Sequence, residues 1–301
     1  MTFSDFAVRH SPENNDPDPI SILAPYSNII LTISICTLFI IKHCILEPYL
    51  PQIYAHMWGP SPDSIKRAIL TLHLAALSRV VLLAIGFYPF TSLAFGSSKL
   101  SDPVGMFGGR LTMGDCIVIT MCILPSFYIF EIIHRSRLSV VTWMHHIGCI
   151  LTAQGTVTLV THGHVNARYQ FILITMWGFF DVIMELAPIF ALTRLRLARS
   201  DHDHLYSVFK FTALWLFTLN NVQSVLLIYL MWMIWDEWAL VFKIITPVLY
   251  VAFTATQWQQ AYLYMKLMRR ELGERLRKIA LKEVEGHPLS PEEEKEKEKE
   301  K

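Results

Sequence analysis

The stretch Val140-Val141-Thr142-Trp143-Met144-His145-His146-Ile147-Gly148-Cys149-Ile150-Leu151 decides how this chain is read. It lies in a run, 139–162, that contains no Asp, Glu, Lys or Arg. About 20 such residues cross a bilayer as a helix. Six more apolar runs of comparable length fall at 27–46, 68–95, 114–133, 167–191, 207–234 and 239–265. The chain is therefore expected to be all-α, a polytopic membrane helical bundle of about seven transmembrane helices. Pro89, Pro125, Pro188 and Pro247 are expected to kink their spans without breaking them, because neighbouring helices can satisfy the freed backbone groups.

Composition agrees. Of 301 residues, 53% are hydrophobic and 17% charged, a balance that a water-soluble domain of this size rarely carries. The net charge of +1 is dispersed, so no nucleic-acid partner is implied. Cys36, Cys44, Cys116, Cys122 and Cys149 sit in or beside apolar runs without paired spacing, which reads as buried, inert thiols and neither a disulfide framework nor a metal site. Residues 1–26, polar and rich in proline, lack the pattern of a cleaved signal peptide and read as a disordered lumenal tail before an N-terminal transmembrane helix at 27–46.

Basic residues orient the bundle. Lys66, Arg67, Arg135, Arg137, Arg194, Arg196, Arg199 and the basic segment after Lys266 fall on one side. Arg9, Lys99, Arg110, Arg168 and Lys243 fall on the other. By the positive-inside rule the first side is cytosolic, leaving the N-terminus lumenal and the C-terminus cytosolic. The tail 274–301 ends in a Lys/Glu run in which Lys297 and Lys299 match the K-x-K-x-x dilysine form of an endoplasmic-reticulum retrieval signal.

The histidines are not alone. At 1.5 Å per residue His145 and His146 lie roughly 10 to 12 Å inside the cytosolic face. Counted from the end of the next span, Glu185 and Asp181 fall at roughly 10 and 16 Å. Ionisable groups in lipid are costly and mark functional sites. If the two spans pack side by side, one histidine can meet the carboxylates. His73 and Glu131 come to similar depth, and Arg79, Asn220, Asn221 and Gln223 lie deeper. A bundle lined by these groups and otherwise by Trp, Phe and Met would enclose a cavity with a polar floor and apolar walls, suited to a long-chain amphiphile. The alternative is that the polar groups satisfy one another as glue between helices.

The segment Tyr128-Ile129-Phe130-Glu131, followed by Arg135, Arg137 and Trp143-Met144-His145-His146-Ile147, resembles the signature of the TLC-domain family, which includes the ceramide synthases. Asp181-Val182-Ile183-Met184-Glu185-Leu186-Ala187 is similar to the latter part of the ceramide synthase motif His-Asp-x-x-Asp-x-x-x-Glu-x-x-Lys. Trp177, Gly178 and Pro188 stand where that motif has histidine, aspartate and lysine, and in the histidine segment Cys149 stands where the family has a threonine three positions after the second histidine.

The resemblance covers 61–273. It implies a six-helix TLC-type core enclosing a lipid cavity, preceded by one added helix. It also implies an endoplasmic-reticulum protein that binds or acts on membrane lipids and affects sphingolipid or phospholipid composition. The second reading it implies is an acyl-CoA-dependent N-acyltransferase. There His145 or His146 is base or nucleophile, Asp181 orients it, and Glu185 completes the catalytic group. His73, Glu131, Asn220 and Asn221 would line the cavity. Acyl-CoA would be the co-substrate and a long-chain base the acceptor, with no resident cofactor or metal, and a homodimer is compatible.

Two other readings carry less. A seven-helix receptor shares the topology, but its Pro-x-x-Tyr element, Pro247 to Tyr250, falls in the lumenal half. Haem held between His73 and His145 is a further option. Asp201-His202-Asp203-His204 reads as a solvated loop, and Met231-Trp232-Met233-Ile234-Trp235 with Trp238 as an interfacial aromatic belt.

Overall fold

A computed structural model describes residues 20–105, 108–136, 138–162, 167–197, 201–236 and 238–284. It shows an all-α helical bundle, and six helices are long and apolar enough to cross a membrane. The chain is a multi-pass membrane protein. Arg137, Arg199, and Lys297 and Lys299 of the proposed signal lie outside the described residues.

The helices are α1 (Ser27–Ile41), α2 (Glu47–Ile53), α3 (Ala55–Trp58), α4 (Asp63–Ala94) and α5 (Met113–His134). They are followed by α6 (Val140–Thr161), α7 (Ala167–Met184), α8 (Leu186–Leu197), α9 (His202–Met233) and α10 (Leu240–Val284). The six spans are Ala24–Ile53, Asp63–Ala94, Met113–His134, Tyr169–Leu197, His202–Met233 and Leu240–Leu281. The seventh apolar run, which carries the histidines, forms α6. At 22 residues it reaches about 33 Å, enough to span. It is not among the six because His145, His146, Gln154 and its threonines lower its hydropathy.

Helix α5 is the centre. Two thirds (67%) of its most apolar window is buried, against 11% for the first span. It packs on α1, α4 and α6, and α9 and α10 form a hairpin that closes the far side against α7 and α8. Large apolar side chains such as Ile29, Ile33, Phe211, Leu214, Val241 and Val248 point outward. In a bilayer this exposure costs nothing, since lipid tails are as apolar as the side chains. Inward, Phe90 of α4 stacks on Phe179 of α7 at 4.1 Å and 11°. Such a pair adds about 0.5–1.5 kcal/mol beyond burial.

The start of α5 shows local sequence fixing tertiary contact. Thr112 caps the helix by accepting from the Asp115 N–H at 3.1 Å, and Asp115 accepts from the Thr112 N–H at 3.0 Å. The second Asp115 oxygen takes the Ser21 hydroxyl at 2.6 Å and the Leu23 N–H at 3.1 Å. Residues 20–26, expected as the end of a disordered tail, are thus pinned to α5, with Ala24 only 2% exposed. Gly114 permits this: a Cβ there would stand 1.8 Å from the Ile20 carbonyl oxygen.

Pro89, Pro125 and Pro247 lie inside continuous helices. Pro188 does more than kink: its span separates into α7 and α8 at Glu185. Proline offers no N–H to the Met184 carbonyl, so the regular ladder stops there. Backbone bonds from Glu185 to Asp181 (3.0 Å) and from Ile189 to Glu185 (3.1 Å) carry the chain across. The first span also differs from expectation, running on to Ile53 through a π-helical turn, Lys42–Leu46. There Glu47 neutralises Lys42 at 3.2 Å and holds His43 at 2.7 Å.

Candidate functional site

Helices α4, α5, α6, α7, α8 and α10 line a polar chamber. His145, His146, Asp181 and Glu185 all line it, as does Glu131. The four residues from consecutive spans are therefore brought to one space, through the direct packing of α6 on α7. Their partners differ from expectation.

His146 meets neither Asp181 nor Glu185. Its Nε2 lies 3.1 Å from Glu131 Oε2, and the other Glu131 oxygen accepts from Arg135 Nη1 at 2.6 Å. Because a carboxylate only accepts, His146 Nε2 is the donor, and its buried Nδ1 has no hydrogen-bond partner. The imidazole lies flat on the Tyr128 ring, with centroids 4.5 Å apart. Asp181 is occupied by that same tyrosine, whose hydroxyl donates to Oδ2 at 2.6 Å. Glu185 accepts from Gln260 Nε2 at 2.8 Å. The expected histidine–Asp181 pair is replaced by Glu131–His146 and Tyr128–Asp181, stacked through the aromatic ring.

His145 is held differently. Thr256 gives its hydroxyl proton to the Phe253 carbonyl at 2.7 Å, so at 3.2 Å from His145 Nδ1 it acts as acceptor. The network therefore places the proton on Nδ1 and leaves a lone pair on Nε2, 3.6 Å from Cys149 Sγ. Phe253 crosses the His145 ring edge-on at 5.3 Å. Gly148 makes room for it, since a Cβ there would come within 2.8 Å of the Phe253 ring.

A second chamber lies next to the first, between α4, α5, α6, α7 and α10. Its walls are largely apolar, including Leu82, Met121, Leu124, Trp177 and Phe179. His145, Asp181 and Gln257 line both chambers and so form their common boundary.

Of the expected cavity residues, Glu131 lines the polar chamber, whereas His73, Asn220 and Asn221 line neither. His73 bonds the Ile69 carbonyl through Nδ1 (2.9 Å) and lies 3.4 Å from the Tyr54 hydroxyl. Asn220 is buried on α9 without hydrogen bonds, and exposed Asn221 bonds back to Phe217. Gln223 faces inward to exchange amide bonds with Gln257 at 3.3 and 3.5 Å. The inner face of α9 at Gln223 belongs to packing against α10.

Cys36 and Cys44 are exposed and only Cys116 and Cys122 are fully buried, which corrects the uniform reading of the thiols. Cys149 lines the apolar chamber. Asp201-His202-Asp203-His204 is no loose loop. Asp201 caps α9, Arg194 donates to His204 at 2.9 Å, His202 bonds Glu271 at 2.7 Å, and Asp203 pairs with Arg275 at 2.6 Å.

The sequence reading gave no role to Thr256, Gln257 and Gln260 on α10. Their signal was present: Gln260 lies three residues after Gln257 and four after Thr256, so it shares a helix face with each in an apolar span. No protein-family model matches this chain, and neither a curated protein nor a solved structure does.

Proposed function

We propose that this protein binds a single-chain or long-chain membrane amphiphile, with the chain in the apolar chamber and the head in the polar one. The supporting observation is that a polar and an apolar chamber adjoin, with His145, Asp181 and Gln257 lining both. A ligand spanning that junction matches a polar–apolar boundary in the protein with its own, and water-exposed polar groups in lipid are costly otherwise. The resemblance of the Tyr128–Ile147 and Asp181–Ala187 segments to the TLC-domain family points to the same lipid-handling role and to the endoplasmic reticulum. Arg135 and Arg196, placed on the cytosolic side by the charge count, both line the polar chamber, so the head enters from the cytosolic leaflet. The test is saturable binding of a fluorescent long-chain lipid to the purified protein in nanodiscs. Binding that saturates and is competed by unlabelled long-chain lipid is expected, and non-saturable partitioning equal to empty nanodiscs would overturn the reading.

One observation favours a second reading, acyl transfer from acyl-CoA to a long-chain amine. The Nε2 of His145 keeps its lone pair, with the weak donor Cys149 Sγ 3.6 Å away, and His145 lines both chambers, where the reacting carbonyl of a bound acyl chain would lie. As general base it would take the amine proton as the N–C bond forms and pass it to the departing thiolate, giving amide and free CoA. Glu131, His146 and Tyr128 would hold the surrounding polar groups in place. N-acyl product from acyl-CoA and a sphingoid base, lost in His145→Ala, is expected. No turnover at any chain length would exclude it and leave the binding reading intact.

A further inference from the structure

Arg79 stands in the middle of α4 with 2% of its surface exposed. It lines the polar chamber, and neither its Nε nor its Nη1 has a hydrogen-bond partner. Its guanidinium instead lies over the faces of Phe127 and Tyr128, with centroids at 4.8 and 5.6 Å. A buried guanidinium is costly unless its donors are used, and a π-face uses none of them. Asp181, Glu185 and Glu131 lie near enough to act on the Arg79 charge, but their hydrogen bonds go elsewhere: Glu131 to Arg135 and His146, Asp181 to Tyr128, Glu185 to Gln260. The same chamber carries Arg196, and among the described residues no hydrogen bond or ion pair to a carboxylate is found for it. The donors that a head group would meet on entering, Arg196, and at full depth, Arg79, are both guanidinium forks. That geometry recognises planar carboxylate or phosphate oxygens bidentately.

We propose that the polar chamber is a binding site for the anionic group of an amphiphile, a carboxylate or a phosphate, anchored by Arg79 and met at the rim by Arg196. This rests on the amphiphile-binding reading and adds its head-group chemistry. Bound there, the anion supplies acceptors to Nε and Nη1 of Arg79, while Asp181 and Glu185 keep their present donors. An uncharged head leaves Arg79 as it is, and a cationic head places a second positive charge beside it.

The experiment is competition against a neutral fluorescent monoacylglycerol analogue on the full-length protein in nanodiscs. The competitors have equal chain length: a fatty acid, an alkyl phosphate, a monoacylglycerol and an alkyl amine. The acid or the phosphate is expected to compete about tenfold better than the monoacylglycerol, as one charge-assisted contact allows. Whichever of the two is stronger identifies the source of the anion. Arg79→Met is expected to abolish that advantage while still binding the neutral probe, and Arg79→Lys to retain part of it. Arg196→Gln, at the rim, is expected to reduce the advantage without abolishing it, so the series remains decisive if Arg79→Met does not fold. Equal competition by charged and neutral lipids, or strongest competition by the amine, overturns the proposal but leaves amphiphile binding standing. Failure of the neutral probe to bind overturns both.

Discussion

The ring of Tyr128 lies against that of His146, with planes 19° apart, so one side chain joins two separate polar pairs. Through its hydroxyl it holds Asp181 of α7, and through its face it holds the imidazole that Glu131 fixes from its far side. Tyr128 and Glu131 are three apart on α5 and share a face, so a single turn of the central helix organises α6 and α7 at once.

Tyr128→Phe keeps the stack and removes only the hydroxyl, leaving a buried Asp181 oxygen without its donor. A loss of about 1–3 kcal/mol follows from such an orphaned group. It should register as a lower unfolding temperature of the purified protein in detergent. An unchanged temperature would mean that Asp181 finds water or another donor in the chamber.

Glu131 and His146 are expected to be energetically coupled, since each is the buried partner of the other at 3.1 Å. A cycle of Glu131→Gln, His146→Phe and the double variant should give a coupling of about 0.5–3 kcal/mol by chemical or thermal unfolding. The effects should instead add if Arg135 alone satisfies Glu131.

Gly178 borders the apolar chamber, and a Cβ there meets only Leu124 Cδ2 at an ordinary 3.8 Å. Gly178→Leu therefore starts from an unstrained Cβ beside space that a chain would use. Long-chain amphiphiles should lose about tenfold or more in affinity and short ones little, as burying fewer methylenes at about 0.8 kcal/mol each implies. Equal loss at all chain lengths would place the chain elsewhere.

Glu271 is 2% exposed, and its carboxylate accepts from His202 at 2.7 Å and from Arg270 at 2.5 Å. It ties the long end of α10 to the first turn of α9. Glu271→Ala leaves those donors unpaired and should open this end of the hairpin, detected as faster proteolysis after Arg269 or Arg270 with the transmembrane part intact. Arg275→Ala, whose partner Asp203 is largely exposed, should change cleavage much less.

The spans and the level of the polar groups were legible because both are local quantities. Lipid solubility is summed along the chain, and depth follows from counting residues at a fixed rise. The common chamber for His145, His146, Asp181 and Glu185 followed from these two facts and from the packing of neighbouring spans. Two errors share one cause. His202 and Asp203 looked solvated because their partners, Glu271 and Arg275, lie about 70 residues along the chain. Asn220 looked like cavity lining because depth does not tell which neighbour a helix face meets. Even so, Asp201 followed three residues later by a helix-bonded His204 was a capping signal available in the sequence.

The sequence by itself determined that this is an all-α membrane protein with ionisable groups at one level of its spans, because burial in lipid is set residue by residue along each helix. Only the tertiary structure decided which groups pair, since pairing depends on how helices rotate and approach. It gave Asp181 to Tyr128 and His146 to Glu131. It left Arg79 over two aromatic faces with Nε and Nη1 unbonded, on the lining of the polar chamber.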